Sequence, residues 1–339
     1  MRQTKPFRSV FAQVLVAALG AAFITAPLTA AAKPDQITVA YFLQWPTANQ
    51  IAQVNEWYED EMGVELNWRS FANGNEMSAA MASGDVQIAY SQGLVPWVVA
   101  VSKGLPLDLV GVAVSYAKND QCVVHESQGI TMMNAEKLEG QRVASPIGNV
   151  THYKLLRTLE YLGVDADKVN IVPMNGNEAA AALSRGDVAM ACAFGGPIVE
   201  MKKHGYVLMP AEQQEAIGIR VFDVVSVRHE FAQQYPELVS QFLKVTDRAN
   251  KAYQKEPSKY YDLLSEASGM ERPAAIDMLG KFSFPTIEEQ LSDAWMGETV
   301  PSFTKEVADF FVEQGEMSKA LDSYEPRIDA SYLRKAQEM

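Results

Sequence analysis

Apolar runs of strand length alternate along this chain with stretches of helical period. Ile37-Thr38-Val39-Ala40-Tyr41 reads as a buried strand. The pattern then predicts a helix over 47–62, a strand over 64–71, a short helix over 75–82 and a third strand over 86–90. About a hundred residues later the order recurs, with a strand at 142–144, a helix over 151–162, a strand at 170–173, a helix over 178–184 and a strand at 188–192. The closest match pairs Ser83-Gly84-Asp85-Val86-Gln87-Ile88-Ala89 with Arg185-Gly186-Asp187-Val188-Ala189-Met190-Ala191. In both copies the glycine suits a left-handed helix end. Strands alternating with helices indicate parallel sheets covered on both faces.

Two such units predict two α/β lobes, and ligands of open α/β sheets bind beyond the carboxyl ends of the strands. The apolar runs 107–116 and 221–227 read as segments that cross between the lobes. This sets a discontinuous first lobe, 33–117 plus 222–339, and a second lobe, 118–221. The C-terminal part reads as helices over 238–253, 258–267, 273–280 and 302–315, with Pro236, Pro257 and Pro273 at first-turn positions. They are expected to brace the first lobe.

Composition adds limits. The 339 residues carry 42 acidic against 29 basic side chains, a charge of −13, and 48% are hydrophobic. That apolar fraction supports real cores, and the acidity argues against a nucleic-acid partner. The first residues change the charge picture. Arg2, Lys5 and Arg8 precede an apolar run and then Thr29-Ala30-Ala31-Ala32, the order of a secretory signal peptide over 1–32. Its removal takes the charge from −13 to −16. Export to the periplasm puts Cys122 and Cys192 in an oxidising compartment, where they are expected to pair as a disulfide, two buried free thiols being the alternative.

Thr38-Val39-Ala40-Tyr41, Ala82-Ser83-Gly84-Asp85-Val86-Gln87-Ile88, Thr151-His152-Tyr153 and Phe222-Asp223-Val224 carry a resemblance. The chain resembles the periplasmic substrate-binding proteins of ABC importers for sulfonates, the taurine-binding family most closely. The resemblance implies a two-lobed type II periplasmic binding protein fold with a hinge and a central ligand cleft. It further implies a monomer without cofactor, a small sulfonate as ligand, and a membrane permease and an ATPase as partners. Phe194 stands where members of that family often carry a tryptophan.

Taurine joins a sulfonate to an ammonium across two carbons, so its site needs donors at one end and a carboxylate at the other. Helix N-termini supply donors, and candidates follow Pro46, follow Gly93 and begin at Asn149 to Thr151. Thr151 can add a hydroxyl donor or be an ordinary cap, and His152 is a ligand contact or a satisfied structural histidine. Asp223 interrupts the apolar run Val221-Phe222-Asp223-Val224-Val225 and is the candidate for the ammonium; an internal bond to backbone or to Arg220 is the alternative. Trp45 and Phe194 follow strand ends and rank above Tyr41 and Trp97 as cleft-wall aromatics. Gln44 lies in the loop beside Trp45, and Ser91 and Gln92 follow the third strand as donors to the anion or as loop polarity.

Catalytic motifs are missing. The sequence has no phosphate loop, no Gly-x-Ser-x-Gly elbow and no His-Glu-x-x-His, and His125, His152, His204 and His229 lack metal-ligand spacing. The reading is therefore a binding protein and not an enzyme. The alternatives are a binding protein for another small anion, a zwitterion or a thiamine pyrimidine precursor, a sensor component, and a pyrimidine-forming enzyme of the same fold.

Overall fold

The structure is a computed structural model that describes residues 1–3 and 32–339. The signal-peptide reading of 1–32 falls almost wholly on residues 4–31, outside the described residues. Among them no helix is long and apolar enough to cross a membrane.

Among the described residues ten strands form two five-stranded sheets. The first holds β1 (Gln36–Phe42), β2 (Glu65–Phe71), β3 (Ile88–Gly93), β4 (Leu107–Ser115) and β10 (Phe222–Arg228), in the order β2-β1-β3-β10-β4. The second holds β5 (Asp120–His125), β6 (Arg142–Ser145), β7 (Asn170–Pro173), β8 (Met190–Phe194) and β9 (Gly205–Val207), in the order β7-β6-β8-β5-β9. Each sheet has three parallel strands followed by an antiparallel one. That fourth strand, β10 or β5, begins just after the chain has crossed from the other sheet. The repeat read in the sequence is thus a repeat of sheet order.

The two apolar runs read as crossing segments are strands in their own right. β4 and β10 are antiparallel neighbours, Asp223 opposite Val114, and the crossings lie just past Ser115 and before Phe222. The helix expected over 47–62 is broken into Gln50–Val54 and Trp57–Met62. The Asn55 amide donates to the Ile51 carbonyl at 2.7 Å, and Glu56 takes a left-handed φ of 55°. A short amide side chain competing for backbone groups ends the first helix there. Cys122 and Cys192 are register partners across β5 and β8 and are joined as a disulfide.

The C-terminal helices Pro236–Lys255 and Thr299–Glu313 bury Phe242, Leu243, Phe303 and Phe311 in one core with β1, β3, β4 and β10. The second of them also reaches the other sheet's layer. Tyr153, from the helix Val150–Tyr161, sets its ring 6.0 Å from Phe303 and 5.5 Å from Phe310. The Arg157 guanidinium lies 5.0 Å over the Phe310 ring. These contacts hold the carboxyl ends of the two sheets toward each other.

Candidate functional site

Asp223 sits on β10, 2% exposed, in an otherwise apolar strand. Its carboxylate accepts from the Ser91 hydroxyl at 2.7 Å and from the Tyr116 phenol at 2.5 Å. Ser91 can aim at it because β3 bends there, with φ 65°. Ser91 in turn accepts from the Trp45 indole N–H at 2.9 Å. Burial pushes the Asp223 carboxyl up to about 7; the two hydroxyl bonds offset this only in part, and nearby Asp120 adds to it. Among the described residues no basic side chain is hydrogen-bonded to it.

This carboxylate faces a chamber of about 20 Å³ lined by Phe42, Gly74, Gly93, Pro96, Tyr116, Asn149, Val150, Thr151, Phe194 and Asp223. Three helices begin on the chamber wall: Gly74–Ser83, Leu94–Ser102 and Val150–Tyr161. Asn73 caps the first by accepting from the Glu76 N–H at 3.0 Å, and Asn149 caps the third by accepting from the His152 N–H at 3.1 Å. The remaining first-turn amides have no acceptor inside their helices. Glycine lets these backbones close in. A Cβ on Gly93 would stand 2.9 Å from Val150 Cγ2, across from it on the other lobe. The chamber therefore brings one buried carboxylate together with three positive helix ends.

Thr151 lines the chamber but donates its hydroxyl to Asp120 Oδ2 at 2.8 Å. Asp120 is itself buried and pushed up to about 6 by desolvation, with the Lys154 ammonium pulling the other way. Lys154, also buried, donates to the Ala117 carbonyl at 3.0 Å and to the Asp120 carbonyl. Ser91 and Thr151, both read as donors to an anion, thus direct their protons at carboxylates. The backbone amides are what remains for an anion.

Outside the chamber lies a groove of about 430 Å³, bounded by Phe42, Leu43, Gln44, Ser70 to Ala72, Asn175 to Asn177, Phe194 to Pro197, Ser268 and Gly269. Gln44 is on this groove, its backbone N–H donating to the Ser268 carbonyl at 2.7 Å. Trp45 is buried behind Phe194, wedged edge-on against Phe282 at 4.5 Å and Tyr116 at 4.8 Å.

Four of the residues singled out in the sequence, Asn149, Thr151, Phe194 and Asp223, line the chamber. Ser91 and Trp45 stand behind Asp223. Gln92 turns away: its amide donates to Ser78 Oγ at 2.7 Å and to the Gly74 carbonyl at 3.2 Å, and it accepts from Ser226. His152 turns away as well. Its Nδ1 accepts from the Gly148 N–H at 3.2 Å, and its Nε2 lies 3.7 Å from Glu316. Desolvation pushes its pKa down to about 4, which keeps the ring neutral. Tyr41 and Trp97 face Trp68 and Tyr324. The short helix after Pro46 does not begin on the chamber; the helix at Gly74 takes that place.

Tyr116, Gly74, Phe42 and Asp120 were not anticipated. One signal was available for Gly74. Asn73-Gly74-Asn75-Glu76 recurs as Asn175-Gly176-Asn177-Glu178, and each copy caps a helix. A Cβ at Gly74 would lie 2.7 Å from Pro96 Cγ, and one at Gly176 would lie 3.0 Å from Pro197 Cγ.

Residues 47–260 match the model of the family described as NMT1/THI5 like. The chain belongs to this family. Among relatives, it is 30% identical to the taurine-binding periplasmic protein of Escherichia coli (strain K12), over 89% of this chain and 94% of that one. Solved structures share its architecture. The alkanesulfonate-binding protein SsuA from Xanthomonas axonopodis pv. citri, bound to MOPS, superposes with a TM-score of 0.74 at 20% identity, covering 88% of this chain and 99% of that one. The fold extends to an enzyme, the desulfurization enzyme DSZB, with a TM-score of 0.66 at 15% identity over 90% of this chain and 99% of that one. Among the described residues there is no free cysteine and no cluster of His, Cys, Asp and Glu able to hold a metal ion.

Proposed function

We propose that this chain is the extracytoplasmic solute-binding component of an ABC importer, which captures taurine or a closely related small sulfonate in the periplasm and delivers it to a permease and its ATPase. The observation that carries the reading is Asp223, a buried carboxylate without a cationic partner among the described residues, in a chamber on whose wall three helices begin. A ligand ammonium completes Asp223, and its sulfonate accepts from the first-turn amides. The oxygen of Thr151, its proton committed to Asp120, adds a second acceptor for the ammonium. The disulfide between Cys122 and Cys192 fits an oxidising compartment. The likeness to a taurine-binding periplasmic protein supports the same ligand class and location.

The chamber of about 20 Å³ is smaller than taurine. Capture then requires the lobes to part and to close again around the ligand, which desolvates the charges and strengthens their attraction to the site. Titration calorimetry at pH 8 tests the reading. Taurine should bind, ethanesulfonate, which lacks the ammonium, should bind at least tenfold more weakly, and Asp223→Asn should weaken taurine more than tenfold. Taurine affinity that is unchanged in Asp223→Asn removes the carboxylate from the site and overturns the proposed orientation.

A further inference from the structure

Two rings alone border both the chamber and the outer groove: Phe42, at the end of β1, and Phe194, at the end of β8. They come from different lobes, and their centroids are 5.5 Å apart. Phe194 is backed by the Trp45 indole at 5.7 Å, which Phe282 and Tyr116 hold edge-on and whose N–H is tied to Ser91. The pair is therefore a firm wall assembled when the lobes meet. On one side it leaves the chamber of about 20 Å³. On the other side it leaves about 430 Å³, with Leu43, Phe71 and Pro197 offering apolar surface.

We infer that Phe42 and Phe194 set the length of the ligand: the chain accepts two-carbon aminosulfonates and rejects those that carry a hydrocarbon tail, because the tail's exit into the groove is blocked by the two rings. This inference rests on the sulfonate reading above. The space for a tail already exists; the partition alone withholds it. Removing one ring should turn a selective site into a permissive one, with the tail gaining affinity by burial along the groove.

The test is calorimetry with taurine, N-butyltaurine and N-hexyltaurine, which keep the sulfonate and the ammonium while adding a tail. The wild-type chain should bind both tailed ligands at least a hundredfold more weakly than taurine. In Phe194→Ala the ratio of N-butyltaurine to taurine affinity should rise at least tenfold, and N-hexyltaurine should bind about tenfold more tightly than N-butyltaurine, as expected for roughly threefold to fourfold per buried methylene. Phe42→Leu, on the other lobe, guards against a folding failure of the first variant and should raise the same ratio at least tenfold. Wild-type protein that binds N-butyltaurine as tightly as taurine, or a ratio unmoved in either folded variant, overturns the partition while leaving the sulfonate reading intact. Wild-type protein that binds no taurine overturns that reading, and the partition with it.

Discussion

Asp223 is under two opposing demands, since the group that suits a cationic ligand is a burden on the empty protein. With its carboxyl raised to about 7 from an ordinary 3.8, the folded chain holds a proton that the unfolded chain gives up. Its contribution to stability is present in full below about pH 4 and is lost as pH rises through about 7. Asp120, raised to about 6, acts in the same sense, whereas His152, lowered to about 4, costs stability as pH falls from 6.5 toward 4. Comparing variants separates these groups. Ligand-free Asp223→Asn should melt roughly 2–5 °C above the wild type at pH 8, with the gap closing toward pH 5. Thermal unfolding followed by circular dichroism at both pH values measures this, and a gap independent of pH would mean that Asp223 does not titrate in this range. Binding runs the other way: taurine affinity should fall as pH drops below 7, because only the ionised carboxylate pairs with the ammonium.

At the level of elements, two glycines that look alike do different work. Gly93 opens the helix Leu94–Ser102 with φ −56°, a value any residue adopts, but a Cβ there would meet Val150 of the other lobe at 2.9 Å. Gly93→Ala should therefore obstruct closure and weaken taurine at least tenfold with little change in melting temperature. Gly74→Ala would press on Pro96 within its own lobe, at 2.7 Å, and should cost about 1–3 kcal/mol of stability. Calorimetry and thermal melts on both variants check the contrast; equal loss of binding and stability in the two would refute it. The same distinction explains what was legible in the sequence. The strand–helix repeat was readable because it is local and periodic, and Asp223 because a charge stood out in an apolar strand. Ser91 and Gln92 could not both serve the chamber, since neighbours on a strand face opposite sides. Thr151 and His152 could not either, being consecutive on a helix, about 100° apart. Tyr116 and the meeting of Gly93 with Val150 depend on contacts between distant segments, to which no sequence period points.

Over the whole molecule, the two lobes are joined unevenly. At the helix Thr299–Glu313, Tyr153, Phe303, Phe310 and Phe311 form a cluster of rings, and at the crossing after Ser115 Asn119 donates to the Met278 carbonyl at 2.9 Å. Across the chamber mouth a polar tie is the Asn75 amide on the Ile147 carbonyl at 2.9 Å. Motion should therefore pivot near the crossings at Tyr116 and Val221 and open the mouth, where one hydrogen bond and a few side-chain contacts are lost, while the ring cluster stays closed. A ligand shifts this equilibrium only as far as it prefers the closed form, and that preference is built into the site. Asp223 and the helix at Leu94 belong to one lobe and the helix at Val150 to the other, so a taurine held at both ends engages all of them only after closure. Small-angle scattering should accordingly show the radius of gyration, about 20 Å for a compact chain of this size, fall by on the order of 1 Å on saturation with taurine. Gly93→Ala at saturation should compact less than the wild type. An unchanged radius in the wild type, with binding confirmed by calorimetry on the same sample, would mean that the ligand enters an already closed molecule and that the lobes do not act as a hinge.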